Sequence, residues 1–149
     1  MAEHPRLYSP YDEPLWQSIA AGKMKLQRCA DCGRFRYPPG SVCPACLSTE
    51  ATWEPVSGDG KVLSWTTFHR QYLPAYPAPT TCVAVQLAEG PIIISNVDAA
   101  ETDKLRLDAP VELFYGTHPD GYALPRFRLA GEAKAKPRKK PTARAKAGK

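Results

Sequence analysis

Four cysteines in two close pairs constrain this chain more than any other feature: Cys29, Ala30, Asp31, Cys32, then Cys43, Pro44, Ala45, Cys46, with ten residues between the pairs. Two residues between cysteines let both sulfurs of a turn face one ion while backbone amides point at the thiolates. Gly33 allows the sharp turn after Cys32. Two such turns complete a tetrahedron, so Cys29, Cys32, Cys43 and Cys46 are the expected ligands of one structural Zn2+ in a rubredoxin-like zinc ribbon. The spacer is shorter than the usual about 15 to 20 residues, so Arg34 to Val42 must turn tightly, and Pro38, Pro39 and Gly40 supply the reversal. Four thiolates leave no open position for water or substrate, which disfavours a catalytic zinc. Iron in the same set would make an electron carrier, and spacing alone does not separate the two metals. The fifth cysteine, Cys82, lies between Thr81 and Val83 in a strand-like run and reads as a small core residue.

Five cysteines, four of them in close pairs, suit a metal site in a reducing compartment better than a disulfide framework, which would leave one thiol over. The first residues, Met1, Ala2, Glu3, His4, lack the apolar run of a signal peptide, and no stretch approaches the roughly 18 apolar residues of a membrane span. Cytoplasm is the expected compartment. The formal charge of +5 is unevenly spread: residues 131–149 hold eight Lys or Arg against one acid, a net of +7, which leaves −2 on residues 1–130. A basic folded surface would be the footprint of a nucleic-acid binder, whereas here the excess sits on a tail.

Sixteen prolines and ten glycines favour short strands and many turns, so the expected class is mainly β. Residues 12 to 22 form the one stretch with helical spacing: Leu15, Trp16, Ile19 and Ala20 fall on one stripe, Asp12 can cap, Pro14 suits the first turn and Gly22 can end it. A helix this short must dock on the remainder or on a partner. Five strand-like runs follow the cysteines: Lys61 to Arg70, Thr80 to Ala88, Pro91 to Val97, Val111 to Tyr115 and Tyr122 to Leu129. Glu89 and Gly90 signal a hairpin, and Pro74, Pro77 and Pro79 make the first connection long and stiff. Five such strands suit a small Greek-key barrel of the OB type. The expected organisation is a helical segment at 1–24, the zinc ribbon at 25–57, a five-stranded OB-fold barrel at 58–130 and a disordered basic tail at 131–149, with no internal repeat.

Catalytic signatures are absent from the sequence. His4, His69 and His118 accompany no nucleophile motif, phosphate loop or dinucleotide fingerprint, so the chain by itself does not read as an enzyme. Trp65 is expected in the core, although alternation leaves either face of its strand open to that role. Arg34, Arg36 and Tyr37 lie on the tight metal hairpin, where not all side chains can be buried, and are candidates to contact a phosphorylated ligand or a partner.

The order of these pieces resembles the zinc-ribbon and OB-fold accessory proteins of thiolase-type enzymes, a family long catalogued as a domain of unknown function. The likeness rests on Trp16, on the approach Gly22 to Cys29, on Pro38 and Pro39 before the second cysteine pair, on Gly60 to Thr66, on Val83 to Gly90 and on Leu107 to Leu113. It spans about residues 11 to 129, and departs at Asp108 and Ala109, where a glycine turn is usual. The resemblance implies a non-catalytic subunit that binds a thiolase-like or lipid-transfer-protein-like enzyme and assists acyl-CoA binding in acyl transfer, thiolysis or retro-aldol cleavage. Catalytic Cys and His residues would lie on that partner, and a coenzyme A thioester would be the shared ligand of a hetero-oligomer. Contact of that ligand with Arg34, Arg36 and Tyr37 is the corresponding expectation. The rivals are a single-stranded nucleic-acid-binding zinc-ribbon and OB protein, opposed by the charge of −2 outside the tail, and an iron electron carrier.

Overall fold

The computed structural model describes residue 5 and residues 7–131. The expected tail from 132 onward, and His4, lie outside the described residues. A single helix, α1 (Asp12–Ala20), buries Leu15 and Ile19 along one stripe. Its end is set by Gly22 at φ +68, with the Gly22 amide donating to Ile19 O and the Lys23 amide to Ser18 O, the paired bonds of a Schellman stop. Asp12 does not cap this helix. Its Oδ2 instead accepts the amides of Tyr8 and Ser9, both at 2.8 Å, and so folds the preceding turn. Those amides, Tyr8 first, hold the Asp12 carboxyl below its usual value.

The ribbon is a three-stranded antiparallel sheet in the order β2 (Phe35–Arg36), β1 (Lys25–Cys29), β3 (Ala51–Pro55), with Gln27 opposite both Arg36 and Trp53. Docking of α1 on it is direct. Ser18 Oγ donates to Leu15 O at 2.6 Å and accepts the Lys25 amide at 2.9 Å. The helix therefore packs on this chain's own sheet, which settles where its apolar stripe goes.

The barrel sheet runs β6 (Ile92–Asn96), β5 (Thr80–Leu87), β4 (Asp59–Phe68), β7 (Pro110–Thr117), β8 (Ala123–Leu129), all antiparallel. A meander of three strands is followed by a return through a 3₁₀ helix (Ala99–Lys104), absent from the sequence expectation, to the free edge of β4. Across the remaining gap Ser95 Oγ on β6 donates to Pro125 O on β8 at 2.5 Å, and Arg126 pairs with Asp98 at 2.7 Å, so the barrel is nearly closed. This is the OB arrangement, with every strand limit within two residues of the one expected.

Alternation in β5 is strict, with Thr81, Val83, Val85 and Leu87 inward. In β4 it is broken by a bulge between Val62 and Ser64, so Val62 faces Val85 before it and Trp65 faces Val83 after it. Trp65 nonetheless remains 38% exposed and outside the core cluster, contrary to expectation. Gly60 is needed where β4 crosses β5: an added Cβ would lie 2.5 Å from Val85 Cγ1 and 2.9 Å from Gln86 O. Asp108 takes the place of the family's turn glycine by adopting φ +61, and its carboxylate pairs with Lys61 at 3.2 Å.

One apolar cluster joins Leu15, Ile19, Met24 and Leu26 of the helix and ribbon to Val62, Val83, Val85, Val111 and Phe127 of the barrel. One hydrogen bond crosses this junction, from the Met24 amide to the Tyr115 hydroxyl at 2.7 Å, while the Val56 amide donates to Met24 O at 3.1 Å and continues the β1–β3 pairing. No helix among the described residues is long and apolar enough to cross a membrane.

Candidate metal centre and neighbouring surfaces

Both cysteine turns are built by the same backbone bonds. The Cys29 amide donates to Arg34 O and the Gly33 amide to Cys29 O; five and four residues apart again, Cys43 donates to Ser48 O and Leu47 to Cys43 O. Gly33 and Leu47 occupy equivalent left-handed positions at φ +71 and +62. This two-fold repeat was not visible in the sequence beyond the cysteine spacing, because glycine and leucine share no side-chain signature.

The turns bring Cys29 Sγ to 3.5 Å from Cys46 Sγ and Cys32 Sγ to 3.6 Å from Cys43 Sγ, and all four sulfurs lie within 4.8 Å of one another. A tetrahedral ion with metal–sulfur bonds of about 2.3 Å requires sulfur separations of about 3.8 Å, so the donor set fits zinc. Electrostatics points the same way. The amides of Cys32 and then Asp31 bring the Cys29 thiol down to about 6, and those of Ala45 and Cys46 lower Cys43. The Ser48 amide acts in the same direction on Cys46, yet the Cys29 sulfur, burial and the other two thiols push Cys46 up to about 12. Four thiolates this close cannot all ionise unless a cation offsets their repulsion. Arg28 braces the first turn, its Nε donating to Gly33 O at 3.0 Å while Nη1 pairs with Glu54 at 3.2 Å.

The three ribbon side chains expected to face a ligand do not share a surface. Arg34 is exposed and Tyr37 partly so, at 37%. Arg36 is 6% exposed: its Nε donates to Gln27 Oε1 at 3.0 Å, that oxygen also accepts the Gly40 amide at 2.8 Å, and Nη1 is buried without a partner among the described residues. Gln27, which sequence reasoning passed over, thus organises the metal hairpin. A polar residue facing the hairpin from the middle strand was the available signal.

His69 is exposed at the end of β4. His118, in the β7–β8 turn, is 7% exposed; its ring stacks on Tyr122 at 4.4 Å, lies 5.7 Å from Tyr76, and accepts the Asp120 amide on Nδ1 at 3.2 Å. Among the described residues no hydrogen bond joins a Ser, Thr or Cys side chain to a histidine. Cys82 is not a core residue, because its neighbours Thr81 and Val83 face inward; it is half-buried on the outer face, and its Sγ accepts from Asn96 Nδ2 at 3.4 Å.

Residues 16–51 match the family model for the rubredoxin-like zinc ribbon domain of ChsH2, and residues 53–114 the model for the ChsH2 C-terminal OB-fold domain. A probable enoyl-CoA hydratase alpha subunit from Thermomonospora curvata is 32% identical over 130 residues, covering 87% of this chain and 41% of its own length. This chain therefore spans about two fifths of that relative. A DUF35 domain-containing scaffold protein from Pyrococcus furiosus is 29% identical over 86 residues, 54% of this chain and 60% of its own. Among solved structures, a chain of an Ltp2-ChsH2(DUF35) aldolase superposes with a TM-score of 0.75 at 28% identity, over 84% of this chain and 98% of that one.

Proposed function

The chain belongs to the ChsH2-type zinc-ribbon and OB-fold (DUF35) family, and on that premise we propose that it is an accessory subunit of a thiolase-like enzyme acting on an acyl-CoA. The observation that carries the reading is the match, over 98% of its length, to a chain from a two-component aldolase, with the ribbon and barrel in the same arrangement. A structural zinc held by Cys29, Cys32, Cys43 and Cys46 fits this role, since it supplies no open coordination position and stiffens a lobe that shares its core with the barrel. On this reading the reacting Cys and His belong to the partner, and the reaction is acyl transfer, thiolysis or retro-aldol cleavage in the cytoplasm. Of the expected ligand-facing residues, Arg34 and Tyr37 remain candidates to meet coenzyme A or the partner, while Arg36 acts from below by holding Gln27 and the hairpin.

The test is affinity purification of the tagged full chain from its native host, with mass spectrometry of what accompanies it. A thiolase-like subunit is expected; recovery of RNA or of no partner overturns the proposal. In the recovered complex, Arg34→Ala should raise KM for acyl-CoA several-fold with kcat retained, and an unchanged KM removes the ribbon contact.

A further inference from the structure

The β4–β5 connection, residues 69–79, arches over the end of the barrel and leaves two adjoining cavities separated by Tyr76. One, of about 320 Å³, is walled mainly by Phe68, Tyr72, Leu73 and Cys82, with Arg70 also on its wall. The other, of about 270 Å³, is walled by Thr81, His118, Arg126 and the prolines of the loop, and Asn96 reaches both. Together they have the volume of a small-molecule site. They also occupy a telling place: on the second and third barrel strands, between the first and last interstrand loops, where OB folds take up ligands.

The polar half selects for a neutral group. Arg126 is compensated by Asp98 at 2.7 Å, so it offers little to an anion. Nδ1 of His118 faces Asp120, 3.2 Å from its amide nitrogen and 3.5 Å from its carboxylate, while the other ring nitrogen has no hydrogen-bond partner among the described residues and is available to a ligand oxygen. Asn96 spends its amide nitrogen on Thr81 O and Cys82 Sγ, leaving its carbonyl oxygen as an acceptor. Such a set satisfies a ketone or hydroxyl.

We propose that the groove beneath the β4–β5 loop binds a neutral amphiphilic small molecule, its apolar body on Phe68, Tyr72, Leu73 and Cys82 and its carbonyl or hydroxyl oxygen beyond Tyr76, at Asn96 and His118. The same chemistry has two sources: the distal part of an acyl group held by a catalytic partner, or a free ligand. Only the first rests on the accessory reading above.

The experiment titrates the zinc-loaded, ¹⁵N-labelled full chain with 2-octanone, with octanoate and with a thymidine decamer, following backbone amide resonances. Saturable shifts confined to residues 68–82, 96–97 and 117–119 are expected with 2-octanone, at least ten-fold weaker binding with octanoate, and none with the decamer. Cys82→Leu, which fills the apolar half, should weaken 2-octanone binding at least five-fold, and the exposed Leu73→Ser serves the same purpose should the first fail to fold. No saturable shift at millimolar 2-octanone, shifts mapping elsewhere, stronger binding of octanoate or the decamer, or indifference to both variants overturns the site. In the purified complex, 2-octanone competing with acyl-CoA identifies the acyl group as the source, and unaffected turnover identifies a free ligand. Absence of a thiolase-like subunit would sink the accessory reading while leaving the titration on the isolated chain to decide this one.

Discussion

Tyr115→Phe removes one oxygen at the seam between ribbon and barrel and tests whether the two share a core. The lost hydroxyl accepts the Met24 amide at 2.7 Å, and Met24 is only 1% exposed, so water has little room to replace it. A buried amide left without an acceptor costs about 1–3 kcal/mol, whereas the ring itself is kept and its packing unchanged. At about 4 °C per kcal/mol for a chain of this size, Tm should fall by about 4–12 °C. Urea unfolding of zinc-saturated protein, followed by far-UV circular dichroism, measures the loss. One transition with an unchanged m-value is expected, because Met24 and Leu26 pack in the same cluster as Val85 and Phe127. Tyr72→Phe, at an exposed loop ring, is the control and should stay within about 0.5 kcal/mol of the parent. Equal stability of the two variants, or resolution of two separate transitions, would refute the shared core.

Chelation of zinc, or Cys43→Ser, should unfold the ribbon and also lower the barrel's melting temperature, since the ribbon supplies Met24 and Leu26 to the common cluster; barrel melting indifferent to metal removal contradicts this. Gly60→Ala should destabilise by about 1–3 kcal/mol because Gln86 backbone blocks its Cβ, while Gly40→Ala, with nothing within 4 Å, should stabilise by about 0.4–1 kcal/mol. Effects of the same sign in denaturant melts would defeat that reasoning. The lowered Asp12 carboxyl contributes stability that is complete above its usual value of 3.8 and lost as pH falls through its folded value. The stability gap between parent and Asp12→Ala should therefore be widest near neutral pH and close in acid, and a gap independent of pH would show that the carboxylate's charge is not what folds the turn before α1.

Legibility varied with how local each feature is. The metal set, the helix stop at Gly22 and the five barrel strands were readable because each is written in residues within one turn or one strand of each other. The outward position of Cys82 was not, since its strand is inward on alternate residues and either parity suits a run of small and branched side chains. Asp12 carries a capping residue's chemistry, yet two upstream amides lie closer to its carboxylate than the helix amides it was expected to meet.

The sequence by itself determined that this chain has a four-cysteine metal turn pair, a short docked helix and an OB-type strand set, because spacing, turn residues and period are properties of neighbouring residues. Only the tertiary structure decided which side chains those elements expose. The barrel leaves Trp65 38% exposed although the bulge in β4 sets it opposite the inward Val83, the hairpin closing over Gln27 buries Arg36, and the loop from β4 to β5 sets Tyr76 against His118, 42 residues along the chain. Each depends on contacts between segments far apart in sequence, whose free energy no local pattern records.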